Sequence, residues 1–419
     1  MRAVVSLWAL LAVSPLARAQ EEPLGLSLPA LVREAVEHNP EVQMAARLLE
    51  ARRARVPQAA ALPDPMLIYG VMNEGRPVPL ETLGEAGFSE VYLGVSQELP
   101  FPGKRRLRRE AAGEEAEAAE WALEGVRRRV AADVAEAYYD LYAVHAGLDV
   151  VGESMRLLER LIGAAHARLS VGRTSQQDVL DAEVELSRLE ERRTELARRR
   201  AVLEARLRSL LDRGNGPPFG RPPAITQTPI PGPLDELLRQ AEEQSPALRE
   251  SARRVAQGER LVDLARRDHK PDFSVNFTYH NRGGLDPWYS FGGTLTIPNV
   301  HGRQKRALEE AVASLGGARG GADQARAEVR YAVTESYQMA ATAERLLRLY
   351  GEGILMQSRL SLDSAQAQYQ VGKIEFVTLI TSWRRLLEYE LTYQEQLAAH
   401  EKALARLAVH LGPGPGPKR

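Results

Sequence analysis

The chain has 419 residues, and its 55 lysines and arginines against 56 aspartates and glutamates leave a formal net charge of -1. That balance argues against a nucleic-acid binder, which shows a basic excess on at least one face, and a 44% hydrophobic content argues against a disordered or collagen-like chain. Cysteine is absent, which removes disulfides, thiolate nucleophiles, thiolate metal sites and a lipid-modified N-terminal cysteine as an anchor.

The first residues, MRAVVSLWALLAVSPLARA at 1–19, have the form of a secretory signal peptide: Arg2, an apolar run from Ala3 to Val13, and an A-x-A cleavage signal ending at Ala19. The mature chain is expected to begin near Gln20 and to leave the cytoplasm. No later segment has the roughly eighteen apolar residues of a transmembrane helix. Entry into a membrane would therefore have to be by strands.

Residues 20–213 read as a first repeat. It opens with a helix of about 35 residues, followed by two strand-like runs at about 65–75 and 88–99. PMLIYGVM is apolar on both faces, whereas FSEVYLGVSQELP sets Val91, Leu93 and Val95 against Glu90, Gly94 and Ser96. A helix then runs from about Lys104 to Leu169. Its apolar residues from Val130 through Val134, Ala137, Leu141, Val144 and Leu148 to Leu169 step by four and three without an error. That period of 3.5 requires a supercoiled partner, and about 1.5 Å per residue makes the rod about 100 Å long.

The rod breaks at Val171-Gly172, in ARLSVGRTSQQDVL, and a returning helix carries Leu189, Leu196, Leu203, Leu207 and Leu210 on the same spacing. The spacing predicts a helical hairpin with its tip at 171–174. Residues 214–233 hold seven prolines and four glycines, the mark of an extended connector.

Residues 234–411 repeat the plan. Asn39-Pro40 falls on Ser245-Pro246 at an offset of 206, Glu136-Ala137-Tyr138 on Glu335-Ser336-Tyr337 at 199, and Val171-Gly172 on Val371-Gly372 at 200. The second pair of strands is expected at about 272–281 and 288–297, with Phe273, Val275, Phe277 and Tyr279 alternating against Ser274, Asn276, Thr278 and His280. SLGGARGGADQ at 314–324 places four glycines in a helical context, each costing about 1 kcal/mol relative to alanine. The second tip is expected at 371–374, and 412–419 as a flexible tail.

Strands of this length and alternation suit an outer-membrane barrel and also a small soluble sheet with one wet face. Two short hairpins at one end of 100 Å rods are too little material for a soluble sandwich core. Four strands cannot close a barrel, and lipid forbids open edges. Three chains would supply twelve strands, enough for an aqueous lumen.

Catalytic signatures are missing. The eight histidines make no H-E-x-x-H spacing, GVSQE lacks the last glycine of a nucleophile elbow, and FPGKRR lacks the upstream glycine of a phosphate loop. The basic run Lys104, Arg105, Arg106, Arg108 and Arg109 opposes the helix dipole; it reads either as a membrane-proximal feature or as a solvated first turn.

The tandem halves, two strand hairpins, long helices and paired Val-Gly tips together resemble the TolC-like outer-membrane factors of bacterial efflux systems. SQELPFPGKRRLRRE at 96–110 resembles the heavy-metal and cation branch. The resemblance implies a mainly α tandem-repeat chain with a membrane β-barrel: a homotrimer whose twelve-stranded barrel continues into a long coiled-coil tunnel across the periplasm. It implies an exit duct rather than an enzyme, with no cofactor and no resident metal, which passes small molecules or metal cations from an inner-membrane pump of the RND type through a periplasmic adaptor. The alternatives are a soluble periplasmic scaffold and the outer-membrane duct of a type I secretion system. Residues expected to meet the adaptor are Val171, Gly172, Arg173, Val179, Leu180, Val371, Gly372 and Lys373. Asp178 and Tyr369, with Asp181 nearby, match a gate latch in which a tyrosine hydroxyl donates to a carboxylate; Asp178 equally suits a cap on the returning helix. Ile374, Thr378 and Thr381 stand where the family pattern has an arginine and two aspartates.

Overall fold

The structure, a computed structural model, describes residues 26–412 apart from 76, 173, 215–217 and 299–301. The signal peptide, the tail beyond Gly412, part of the connector and Arg173 therefore lie outside the described residues.

Each repeat begins with two helices where the pattern suggested one of about 35 residues. Helix α1 spans Leu28–His38 and α2 spans Pro40–Ala60; α5 spans Leu234–Gln244 and α6 spans Pro246–Arg267. The breaks fall at Asn39 and Ser245, both with extended ψ values of 128° and 123°. A proline disfavours the helical conformation in the residue before it and then serves as the first residue of the next helix. Asn39 also accepts from the Glu41 N–H at 2.8 Å and donates to the Leu210 carbonyl at 2.9 Å, fixing the bend against the returning helix.

The strands are β1 Met66–Met72, β2 Glu90–Leu99, β3 Asp272–Arg282 and β4 Leu285–Thr296. They form one antiparallel sheet in the order β1-β2-β3-β4. The register puts Leu67, Tyr69, Leu93, Val95, Phe277 and Phe291 on one face and Glu90, Ser96, Asn276, Thr278, His280 and Ser290 on the other. The alternation read from the sequence is thus the alternation of the faces.

Helix α3 runs unbroken from Lys104 to Leu169, and α4 returns from Gln176 to Leu210. In the second repeat α7 spans Arg303–Leu349, a π-helical turn spans Tyr350–Ile354, α8 spans Leu355–Gln370 and α9 returns over Phe376–Leu411. The glycine-rich stretch at 314–324 is helical. The π turn has a cause in the sequence. The offset between repeats rises from 199 at Glu136/Glu335 to 200 at the Val-Gly tips, so the second repeat holds one extra residue in between. A π turn absorbs one residue into a helix, and so keeps the apolar seam in phase on both sides.

The seam residues form the core. Val144, Val151, Leu158, Leu189, Leu379 and Trp383 pack in the half near the tips, while Val130, Val134, Leu141, Leu207, Leu31 and Leu49 pack α1 and α2 against α3 and α4. At the junction with the sheet, Lys104 is buried. Its ammonium donates to Asp272 Oδ2 and the Lys270 carbonyl, both at 2.9 Å, and lies 3.5 Å from Asp268. Lys104 is thereby neither membrane-facing nor solvated: it ties the β2–α3 corner to the α6–β3 corner. Arg106 pairs in solvent with Glu110, as a first-turn arginine does.

Candidate functional site

The far end of the rods is built from two glycine turns. Gly172 and Gly372 take φ values of +68° and +74°, a region that a Cβ would strain, and each N–H returns to a helix-end carbonyl at 3.0 Å, Leu169 and Tyr369 respectively. Val171, Leu180, Val371 and Lys373 are exposed around them. Val179 is not. It is buried with Phe376 and Leu379 in the core beneath the tips, because its place in the first turn of α4 faces the seam, and it presents no surface to a partner.

Asp178 and Tyr369 are not joined in this chain. Asp178 sits at the third position of α4, where its carboxylate accepts from the Ser175 N–H at 3.2 Å and from Thr174 Oγ1 at 2.6 Å while its own N–H donates to Ser175 Oγ at 3.1 Å. This is a capping box. It engages one carboxylate oxygen, Oδ2, locally. Asp181 is exposed one turn on.

Tyr369 is buried, and its hydroxyl has no hydrogen-bond partner among the described residues. Its ring lies 5.5 Å from Phe376 and 4.5 Å beneath the guanidinium of Arg168. Arg168 also donates to the Tyr369 carbonyl. A residue in the last turn of α3 thus holds the last turn of α8, bringing the first hairpin against the second. The family pattern marks Tyr369 and leaves Arg168 unmarked. The available signal was a cation three residues before Val171, in the last helical turn, where it complements the dipole.

A second bridge lies further from the tips. The buried carboxylate of Glu185 on α4 accepts from Arg188 at 2.6 Å and from Arg384 on α9 at 2.7 Å. The positions that depart from the family pattern have local roles: Ile374 packs against the tip core, and Thr381 donates to the Val377 carbonyl at 2.7 Å.

At the other end, the apolar sheet face is open. Phe291 is 87% exposed and Tyr69 81% exposed. Among the described residues no further strand pairs with the outer edges of β1 and β4, no helix is long and apolar enough to cross a membrane, and no three His, Cys, Asp or Glu side chains gather as a metal-binding group.

The model of the outer membrane efflux protein family matches residues 31–213 and 237–412, one stretch in each repeat. The cobalt-zinc-cadmium resistance protein CzcC of Cupriavidus metallidurans is 24% identical over 405 residues, covering 92% of this chain and 90% of the relative. Protein CyaE of Bordetella pertussis is 26% identical over 420 residues, covering 92% of this chain and 85% of its own length. Among solved structures, the outer membrane protein VceC of Vibrio cholerae superimposes with a TM-score of 0.79 at 18% identity, over 92% of this chain and 96% of that one. CusC does so with a TM-score of 0.77 at 17% identity, over 93% of each chain. Two helical hairpins closed by glycine tips, set on a four-stranded sheet with one apolar face, are the form in which this chain belongs to the outer membrane efflux protein family.

Proposed function

We propose that the protein works as a homotrimer, the passive exit duct of a tripartite efflux system. The observation that carries this reading is the sheet. An apolar face with Phe291 and Tyr69 almost fully exposed and two unpaired edges is untenable in water and in lipid alike until it is closed. Three copies joined β4 to β1 give twelve strands with the apolar face turned to lipid and the polar face around a lumen. A soluble periplasmic scaffold would have no use for that face.

The tips then lie at the periplasmic end, where Gly172 and Gly372 with the exposed Val171, Leu180, Val371 and Lys373 meet a periplasmic adaptor, and through it an inner-membrane pump of the RND type. Tyr369 is the gate residue of this reading. Arg168 holds it inside the protomer, Asp178 shapes the tip, and Asp181 supplies negative charge beside it. Cargo is delivered by the pump, and likeness to a protein named for cobalt, zinc and cadmium resistance makes divalent cations the favoured cargo. A type I secretion duct would share the barrel and differ in what passes.

Recovery from outer-membrane fractions as a heat-modifiable trimer that conducts in planar bilayers tests the duct. A freely soluble periplasmic monomer would sink it. Deletion of the gene should lower tolerance to cobalt, zinc or cadmium if the cargo is cationic.

A further inference from the structure

The polar face of the sheet carries one cluster that a passive duct leaves unexplained. It lies at the end of the sheet farthest from the rods, since Leu99 and Asp272 form the other end beside α3 and α6. Glu90 opens β2, and His280 near the end of β3 stands opposite Trp288 on β4. Glu90 Oε1 lies 2.7 Å from His280 Nδ1, and Glu90 Oε2 accepts from Trp288 Nε1 at 2.9 Å. His280 Nε2 lies 3.0 Å from Ser290 Oγ, and its ring stacks on Trp288 with centroids 4.0 Å apart. Glu90 and His280 are both buried.

Tying strands together does not require this chemistry. One rung below, Gly94, Thr278 and Ser290 cross the same face with uncharged groups, whereas a buried carboxylate costs free energy unless it is paired and hydrogen-bonded, and Glu90 depends on His280 and Trp288 for that. A carboxylate that accepts a hydrogen bond from the Nδ1–H of a histidine fixes the tautomer and leaves the lone pair on Nε2. That is the outer-shell arrangement of histidines that bind metal ions. Here Nε2 is directed at a serine hydroxyl, a second donor. Met72 faces Glu90 across the β1–β2 pairing and is half exposed.

We infer that His280 Nε2, oriented by Glu90 and accompanied by Ser290 Oγ, is a passing ligand for divalent transition-metal cations as they leave the barrel. The inference rests on the duct reading, in which three such clusters surround the outer end of the lumen. Imidazole nitrogen selects cobalt, zinc and their neighbours over magnesium and calcium. One imidazole and one hydroxyl per protomer, completed by water, hold such an ion weakly, and weak holding is what a pathway needs if the ion is to leave.

The test is a titration of the full-length, detergent-solubilised trimer with Co²⁺, read by quenching of tryptophan fluorescence, to which Trp288 beside the site contributes together with Trp121 and Trp383. The wild type should show a saturable phase. His280→Gln, which keeps a hydrogen-bonding side chain, should lose that phase while remaining a heat-modifiable trimer. Glu90→Gln should weaken the affinity by about 10- to 100-fold. Unchanged saturable quenching in His280→Gln overturns the inference. So does the absence of a saturable phase in a wild-type protein that conducts, and in that case the duct reading stands. Failure of the wild type to conduct overturns both.

Discussion

The guanidinium of Arg168 lies 4.5 Å above the ring of Tyr369 and donates to the carbonyl of the same residue. The two belong to different repeats, so the contact joins the tips of the two hairpins within one protomer. A cation–π contact contributes about 0.5–2 kcal/mol. Arg168→Ala should therefore raise the open fraction of the channel by about 2- to 30-fold, measured as mean single-channel current in planar bilayers. Arg168→Lys should fall between the two, because an ammonium keeps the charge and loses the planar fork. Equal currents in all three would remove Arg168 from the gate.

Asp178 gives the opposite expectation. Its carboxylate is committed to Ser175 and Thr174, so Asp178→Ala should cost the start of α4 about 1 kcal/mol and leave the current close to wild type. Hydrogen exchange over residues 174–182 should speed up in the variant. A rise in current equal to that of Arg168→Ala would return Asp178 to the latch.

The π turn at Tyr350–Ile354 is open to a deletion experiment. Removing Gly353 should convert it into plain α-helix, keep both halves of the seam in phase and leave trimer yield and Tm near those of the wild type. Removing Gly152, at the matching place in α3, should rotate every seam residue from Met155 to Leu169 by about 100°, and trimer yield should collapse. Similar yields for the two deletions would mean that the extra residue is not what the turn absorbs.

Much of this was legible in the sequence because the rods and strands are written in periodicity. The four-three steps from Val130 to Leu169 fix α3, and the alternation from Phe273 to His280 fixes the faces of β3. The broken first helices were also written, in Asn39-Pro40 and Ser245-Pro246, because proline disfavours a helical residue before it, although the helical Val56 before Pro57 in α2 shows that the preference alone does not decide the break. The one-residue drift between repeats was visible, but reading it as a π turn needs the knowledge that no loop interrupts the rod. The tip contacts were not legible. Arg168 and Tyr369 lie about two hundred positions apart with no shared pattern, and a motif match supplies a residue's neighbours in sequence, not the side chain that covers it.

Lys104 is where the helical layer meets the sheet. Each charged hydrogen bond of the kind it makes to Asp272 contributes about 1.5–3 kcal/mol. Lys104→Ala should lower trimer stability by that order, and Arg106→Ala, whose direct pair with Glu110 is solvent-exposed, by less than about 1 kcal/mol. Denaturant midpoints of the two variants should separate accordingly. Equal midpoints would place Lys104 among the solvated arginines.

The pH dependence follows from two histidines of the helical layer. Burial holds the pKa of His145 below the ordinary value, with Arg200 and Arg221 adding to the effect, and burial with Arg128 does the same for His410. Nε2 of His145 and Nδ1 of His410 are buried with no hydrogen-bond partner among the described residues, so neither site offers an acceptor that would welcome a second proton. Both imidazoles are thus neutral in the fold when the same groups in the unfolded chain, with the ordinary imidazole value of 6.5, begin to take up protons. Below that pH the unfolded state binds more protons than the folded one, and stability falls as pH falls until the folded groups also titrate. The stabilising contribution is therefore complete above pH 6.5 and is lost on the acid side. Tm should drop from pH 7 to pH 5 in the wild type, and the drop should be shallower in His145→Gln/His410→Gln, whose side chains cannot charge. A drop of equal depth in the double variant would assign the acid sensitivity to other groups.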